Sequence, residues 1–148
     1  MPSKLDLKSS NIRVSLLVMK LTVHVKLQPT ADQAGVLKRT LEVANRACDW
    51  LGEQAWTAGE FRRFPLQRLF YKPIREQFNL TAQVVVRLIA KVADAYKLDK
   101  KQQRKFRSLG SISFDDRILA YNLAKSEVSI WTVEGRQTIP FVCGERQR

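Results

Sequence analysis

Few side chains in this sequence have the type and spacing that break bonds. Asp115 and Asp116 are adjacent, so along a strand they would point to opposite faces and could not converge on a divalent ion. Their expected role is a turn ahead of the run RILAY. His24 is the single histidine, and Cys48 and Cys143 are the only cysteines, neither in a CxxC pair. No zinc set and no Ser/His/Asp or Cys/His arrangement can be assembled from these. No glycine-rich phosphate loop is present either. The expectation is therefore no catalytic residue, no metal ligand and no cofactor on this chain. Phosphate binding, by contrast, is well supplied. The stretch Tyr96–Gly110 reads YKLDKKQQRKFRSLG, where Lys97, Lys100, Lys101, Arg104, Lys105 and Arg107 stand against one acid, Asp99. Lys26, Arg39, Arg46, Lys72, Arg75, Arg87 and Lys91 add cations from the first strand and from every helical segment. Each alone reads as a solvated charge. Together they favour a groove that contacts a polyanion backbone.

The totals point the same way. Lys and Arg number 26 against 14 Asp and Glu, a net charge of +12 in 148 residues, with a pI near 10.2. So unbalanced a chain repels itself, and a compensating anionic partner is expected: nucleic acid first, a membrane surface second. Hydrophobic residues make up 45% and charged residues 27%, which suits a packed domain rather than disorder. No apolar run approaches the ~18 residues of a membrane span. The first residues, MPSKLDLKSSNIR, lack the apolar stretch and cleavage site of a signal peptide. No membrane partner and a cytoplasmic location are expected, with both cysteines as reduced core residues.

The elements that must position these cations follow from periodicity. Residues 1–13 read as a loose polar tail. Residues 14–29 read as the first strand or strands: Leu21, Val23, Val25 and Leu27 alternate with Thr22, His24, Lys26 and Gln28, and Pro29 ends the pattern. Thr30 with Gln33 forms a capping-box start. Leu37, Leu41, Ala44, Cys48, Leu51 and Ala55 then recur as one helical stripe. Gly52 should weaken that helix and Gly59 should stop it. Trp50 and Trp56 flank the stripe as expected core aromatics. A second helix opens near Pro65 with Leu66, Leu69, Phe70 and Ile74, and Pro73 should kink or break it. A third, after Asn79, places Val85, Leu88, Ile89, Val92 and Tyr96 on one side. From Gly110 the runs SISF, RILAY, VSIWTV and RQTIPFV read as strands, the last two joined by a turn at Glu134–Gly135. A lone N-terminal strand is not stable, so it must pair with the C-terminal sheet. The expected fold is α+β: a small β-barrel of the N-terminal strand and the strands of residues 110–148. A three-helix bundle, residues 30–109, is inserted into it.

The stretch KLTVHVKLQPTADQAGVLKRTLEVANRACDWL resembles the opening of the TnpB (OrfB-type) transposon-encoded proteins. There a strand ending in a Pro-Thr step precedes a helix of the form xxQxxxLxxTxxxxNxxxxxL, met here by Gln33, Leu37, Thr40, Asn45 and Cys48-Asp49-Trp50-Leu51. The likeness continues in YKPIREQFNLTAQVVVRLIAKVADAYK, in SISFDDRILAYN and in VSIWTVEGRQTIPFVCGE, and covers about Met19 to Glu145. The resemblance implies an RNA-guided DNA endonuclease family, related to type V CRISPR effectors. Its wedge β-barrel and inserted helical recognition domain hold guide RNA and help read a motif beside the target DNA. Sequence recognition is delegated to base pairing, leaving backbone contacts to the protein. It also implies a RuvC-like nuclease domain with an Asp–Glu–Asp metal site and a four-cysteine zinc ribbon. No residues here match those parts, so divalent metal and zinc would belong to domains missing from this sequence.

The expected function is therefore that of a nucleic-acid-binding N-terminal piece, with guide-type RNA and DNA as partners, that does not cleave alone. Alternatives are half of a split nuclease whose other half is encoded separately, and a β-barrel protein-interaction module. Because the likeness begins near Met19, the true start is Met1 or Met19, and residues 1–18 are expected to be dispensable.

Overall fold

The structure, a computed structural model, describes the backbone of residues 5–6, 11–16 and 19–143, and side chains over residues 24–143. In chain order the elements are β1 (Leu5–Asp6), β2 (Asn11–Leu16), β3 (Met19–Leu27), α1 (Ala31–Ala58), α2 (Arg63–Phe78), α3 (Ala82–Leu98), β4 (Ser113–Phe114), β5 (Leu119–Asn122), β6 (Glu127–Thr132) and β7 (Gly135–Cys143). The class is α+β, with three helices and an open antiparallel sheet in the order β4-β1-β2-β3-β7-β6-β5. Among the described residues no ladder joins the two ends of that order. The chain divides into two compact units. One comprises residues 1–40 and 113–148, the other residues 41–112, so the boundary falls inside α1 between Thr40 and Leu41.

In the sheet unit, β3 joins the two halves of the sequence. Val25, Lys26 and Leu27 pair with Cys143, Val142 and Phe141, as a strand in need of a partner requires. The other part of β3 pairs with β2 from Asn11↔His24 to Leu16↔Met19. The expected loose tail thus contains β1 and the start of β2. The missed signal is the alternation of Ile12, Val14 and Leu16 with Asn11, Arg13 and Ser15, which begins before the apolar run at Val14. His24 is exposed, while Val25 beside it is 6% exposed, as period two dictates. Phe114, Val128, Ile130 and Ile139 are fully buried and form the centre of this core.

The β6–β7 turn is Val133–Glu134, one residue earlier than the sequence suggests, with Thr132 opposite Gly135. Thr132 accounts for the shift: its hydroxyl donates to the Gly135 carbonyl at 2.5 Å and accepts from the Glu134 N–H at 3.3 Å. Gly135 follows with φ +98°, which a residue with a Cβ rarely adopts. Asp115 acts as a turn residue, its carboxylate accepting the Arg117 N–H at 3.0 Å. The first turns of α1 attach to the same unit. Thr30 and Gln33 cap each other reciprocally, at 3.0 and 3.2 Å, in the expected capping box. Gln33 also donates to the Thr138 carbonyl at 2.9 Å. The Thr40 hydroxyl donates to Val36 and accepts the Val133 N–H.

In the helical unit α1 ends as Gly59 predicts. Gly59 has φ +65°, its N–H bonds Trp56 and the Glu60 N–H reaches back to Ala55, which is a Schellman closure. Cys48, Leu51 and Ala55 of the α1 stripe are buried, as are Val85, Leu88, Ile89, Val92 and Tyr96 of α3. Each fully buried Leu or Ile contributes about 1.5–3 kcal/mol. Pro73 does not break α2, which continues to Phe78. It removes only the bond to the Leu69 carbonyl, and Leu66 and Ile74 are buried on either side of it as α2 packs on α3. Pro65 is the third helical residue, within the first turn, where an N–H would lack a helical partner. Leu69, expected in the stripe, is 55% exposed, and Trp56, expected in the core, is 40% exposed. Trp50 does pack inward, against the edges of Phe70 and Phe78. Cys48 is buried, but Cys143 at the end of β7 is only half-buried.

Candidate nucleic-acid interface

The cationic stretch that follows α3 is an ordered connector rather than a continued helix end. Asp99, the C-cap of α3, accepts the Lys101 N–H at 2.8 Å and the Gln102 amide at 3.1 Å, which bends the chain out of the helix. The Arg104 N–H then donates to the Tyr96 hydroxyl at 3.1 Å, and the Phe106 N–H to the Asp49 carboxylate at 2.7 Å. Further on, the Asn45 amide nitrogen reaches the carbonyls of Ser108 and Gly110 at 3.2 and 2.9 Å. The connector lies so close to α1 that a Cβ at Gly52 would come within 2.8 Å of the Arg104 carbonyl oxygen. Gly52, expected only to weaken the helix, is what permits this approach.

These anchors sort the expected cations. Lys100, Lys101, Lys105 and Arg107 are exposed along the connector. Arg104 is not: it pairs with Asp99 at 3.7 Å and keeps only 29% of its side chain exposed. Lys91 is structural. Its ammonium donates to Asn45 Oδ1 at 2.7 Å and to the Ser111 carbonyl at 3.0 Å, and lies 5.3 Å from the centre of the Phe106 ring. Lys97 is exposed beside Asp94 at 3.5 Å, a pair easily opened by a competing anion. Arg87 is half-buried on α3 and engaged within the fold. Arg46 is exposed on α1 and shares a groove of about 390 Å³ with Asp49, Trp50, Glu53, Gln103 and Lys105. Arg46, Asp49, Trp50 and Glu53 recur at helical spacing on one face, and Gln103 and Lys105 alternate along the extended connector. Lys72 and Arg75 are exposed on α2. Lys26 and Arg39 belong to the sheet unit, where Arg39 pairs with Glu134 at the β6–β7 turn and Lys26 is exposed on β3.

The connector's one acid, Asp99, is taken up by main-chain and Arg104 contacts, while Lys100, Lys101, Lys105 and Arg107 are exposed. Asp99 and Asp49 are both held by main-chain N–H groups of the connector, and Asp49 shares the groove with Lys105. Burial, with a smaller push from the Asp49 carboxylate, raises the Cys48 thiol to about 12 against the pull of nearby Lys91. Such a thiol is inert, which fits a packing role. Among the described residues no group of three or more His, Cys, Asp or Glu gathers into a metal site.

The sequence reading missed Phe64, Arg68 and Tyr71. With Lys72 they line a groove of about 350 Å³ on the outer face of α2. The available signal was the spacing 64, 68, 71, 72 and 75 on the side away from Leu66, Phe70 and Ile74. The residues of the quoted helix motif, in turn, have framework roles here. Gln33 caps α1, Thr40 holds the β6–β7 turn, and Asn45 and Asp49 hold the connector. No protein-family model, curated protein or solved structure matches this chain.

Proposed function

We propose that this chain binds the sugar–phosphate backbone of nucleic acid, and that the connector following α3 is its principal contact. The observation that carries this reading is the sorting of charge along the connector. Lys100, Lys101, Lys105 and Arg107 are exposed on a backbone held in place at Arg104, Phe106, Ser108 and Gly110, while Asp99 and Asp49 are taken up by internal hydrogen bonds. Cations on a fixed backbone lose less freedom when they meet phosphates than cations on a loose tail. The charge of +12 supports the same class of partner.

The resemblance to TnpB-type proteins narrows the proposal to guide-type RNA and its target DNA, in the cytoplasm. In that reading the helical unit is the recognition part and the sheet unit the wedge barrel; the β3–β7 pairing of N- and C-terminal strands supports the second assignment. Cleavage would be carried by a nuclease part, in the same polypeptide or encoded separately. No helix among the described residues is long and apolar enough to cross a membrane.

The test is the triple substitution Lys100→Gln, Lys101→Gln and Lys105→Gln, titrated with structured RNA and duplex DNA at several salt concentrations. Arg104 is left in place because it pairs with Asp99. Losing three phosphate contacts should lower the slope of log K against log salt by about 2 on RNA, at ~0.7 per contact. The loss should be alike across sequences, since backbone contacts carry no base information. An unchanged slope would reject the connector as the contact.

A further inference from the structure

We infer that the outer face of α2 is a stacking track for unpaired nucleotides, so that the chain prefers single-stranded nucleic acid, RNA or DNA, over duplex. This deepens the proposed function and rests on it, but it comes from a different helix and a different kind of contact.

Helical spacing places Phe64, Arg68, Tyr71, Lys72 and Arg75 within an arc of roughly 100° at 100° per residue. Outside that arc lie Leu66 and Ile74, both fully buried. Phe64 is 65% exposed, a large apolar surface to leave in water on a helix that already has a buried face. Each of the two aromatic rings on the arc has an arginine beside it. The Arg63 guanidinium lies 5.6 Å from the centre of the Phe64 ring, and that of Arg75 lies 5.9 Å from the centre of Tyr71. Ring and cation thus occur together twice: one part for a base, the other for its phosphate. The groove of about 350 Å³ over Phe64, Arg68, Tyr71 and Lys72 adjoins a second, of about 500 Å³, that shares Tyr71 and Lys72 and adds Arg75.

Charge complementarity selects the occupant. α2 carries Arg63, Arg68, Lys72 and Arg75 against one acid, Glu76, which sits 3.9 Å from Lys72 in an exposed pair. An anionic partner with flat apolar groups at regular intervals fits this face, and an unpaired nucleic-acid strand has that form. A duplex offers the phosphates but hides the base faces. A membrane-surface helix would need its broad apolar side free, and here that side is buried in the fold. Seven residues of helix separate Phe64 from Tyr71, about 10 Å along the axis. That is roughly three rises of a stacked strand, so the two rings would engage a segment of about four nucleotides.

The experiment compares the full chain with Phe64→Ala, Tyr71→Ala and the control Tyr71→Phe on oligo-dT, oligo-U, a DNA duplex and anionic phospholipid vesicles. Loss of a stacked base should weaken single-strand binding about 5- to 100-fold for each alanine variant. Tyr71→Phe should bind like the parent. The salt slope should stay unchanged because no charge is removed, and duplex binding should shift less than about twofold. Thermal melting identifies a Tyr71→Ala protein that has lost its fold; Phe64→Ala, at an exposed position, then decides alone. Single-strand binding within twofold of the parent for Phe64→Ala, or equal losses on duplex, overturns the inference. A loss on vesicles alone overturns it in favour of a membrane surface. If the parent binds no nucleic acid, this inference and the proposed function fail together. If only the connector variant changes binding, the proposed function stands without this face.

Discussion

The Tyr96 hydroxyl donates a 2.6 Å hydrogen bond to the main-chain carbonyl of Gly52, in the C-terminal part of α1, and accepts the Arg104 N–H at 3.1 Å. One buried phenol thereby ties α3 to α1 and fixes the point where the cationic connector passes over Gly52. Tyr96→Phe should leave the Arg104 N–H without this acceptor and lower stability by about 1–3 kcal/mol. In an open helix Gly→Ala stabilises by roughly 0.5–1 kcal/mol. At Gly52 the new methyl would meet a backbone oxygen at 2.8 Å, so Gly52→Ala should destabilise instead, by about 1–3 kcal/mol. Urea denaturation of the two variants measures both effects. A stabilising Gly52→Ala would show that the connector does not lie where described.

Lys91 and Lys100 are the same residue type with different expected roles. Lys91→Met keeps the aliphatic stem but removes the ammonium that bonds Asn45 and Ser111. Stability should fall by about 1–3 kcal/mol while the salt slope of RNA binding, measured where the variant is folded, stays at the parent value. A lower slope with stability unchanged would return Lys91 to the set of phosphate contacts.

Cys48 should make the fold sensitive to alkali. Burial raises its thiol to about 12 in the folded chain, from an ordinary value of 9.0. The unfolded chain therefore loses this proton first, and the stabilising difference, complete below about pH 9, is lost as pH rises towards 12. The slope attributable to this group approaches about 1.4 kcal/mol per pH unit within that window. Cys48→Ala is the control: its stability should fall less steeply between pH 9 and 11 than that of the parent. Equal slopes would mean that the thiol is not desolvated.

Local chemistry alone determined several elements. The Thr30–Gln33 cap, the Gly59 stop, the period-two alternation of β3 and the apolar stripes of α1 and α3 involve residues a few positions apart, so they were legible in the sequence. The same held for the excess of positive charge, which needs only counting. Which cations are engaged within the fold was decided by tertiary structure. Lys91 is drawn inward by Asn45, 46 positions away, and Arg104 by Asp99, while Lys100 and Lys105 remain exposed. Periodicity also placed Leu69 in the core, where it is 55% exposed, and the proline left open a break in α2 that does not occur. Which side of a short helix is buried depends on where α3 lies, and a missing hydrogen bond can be offset by packing on either side of it. Spacing along the chain fixes which residues share a face. Contact with a distant segment decides whether that face is core, framework or the surface a ligand meets.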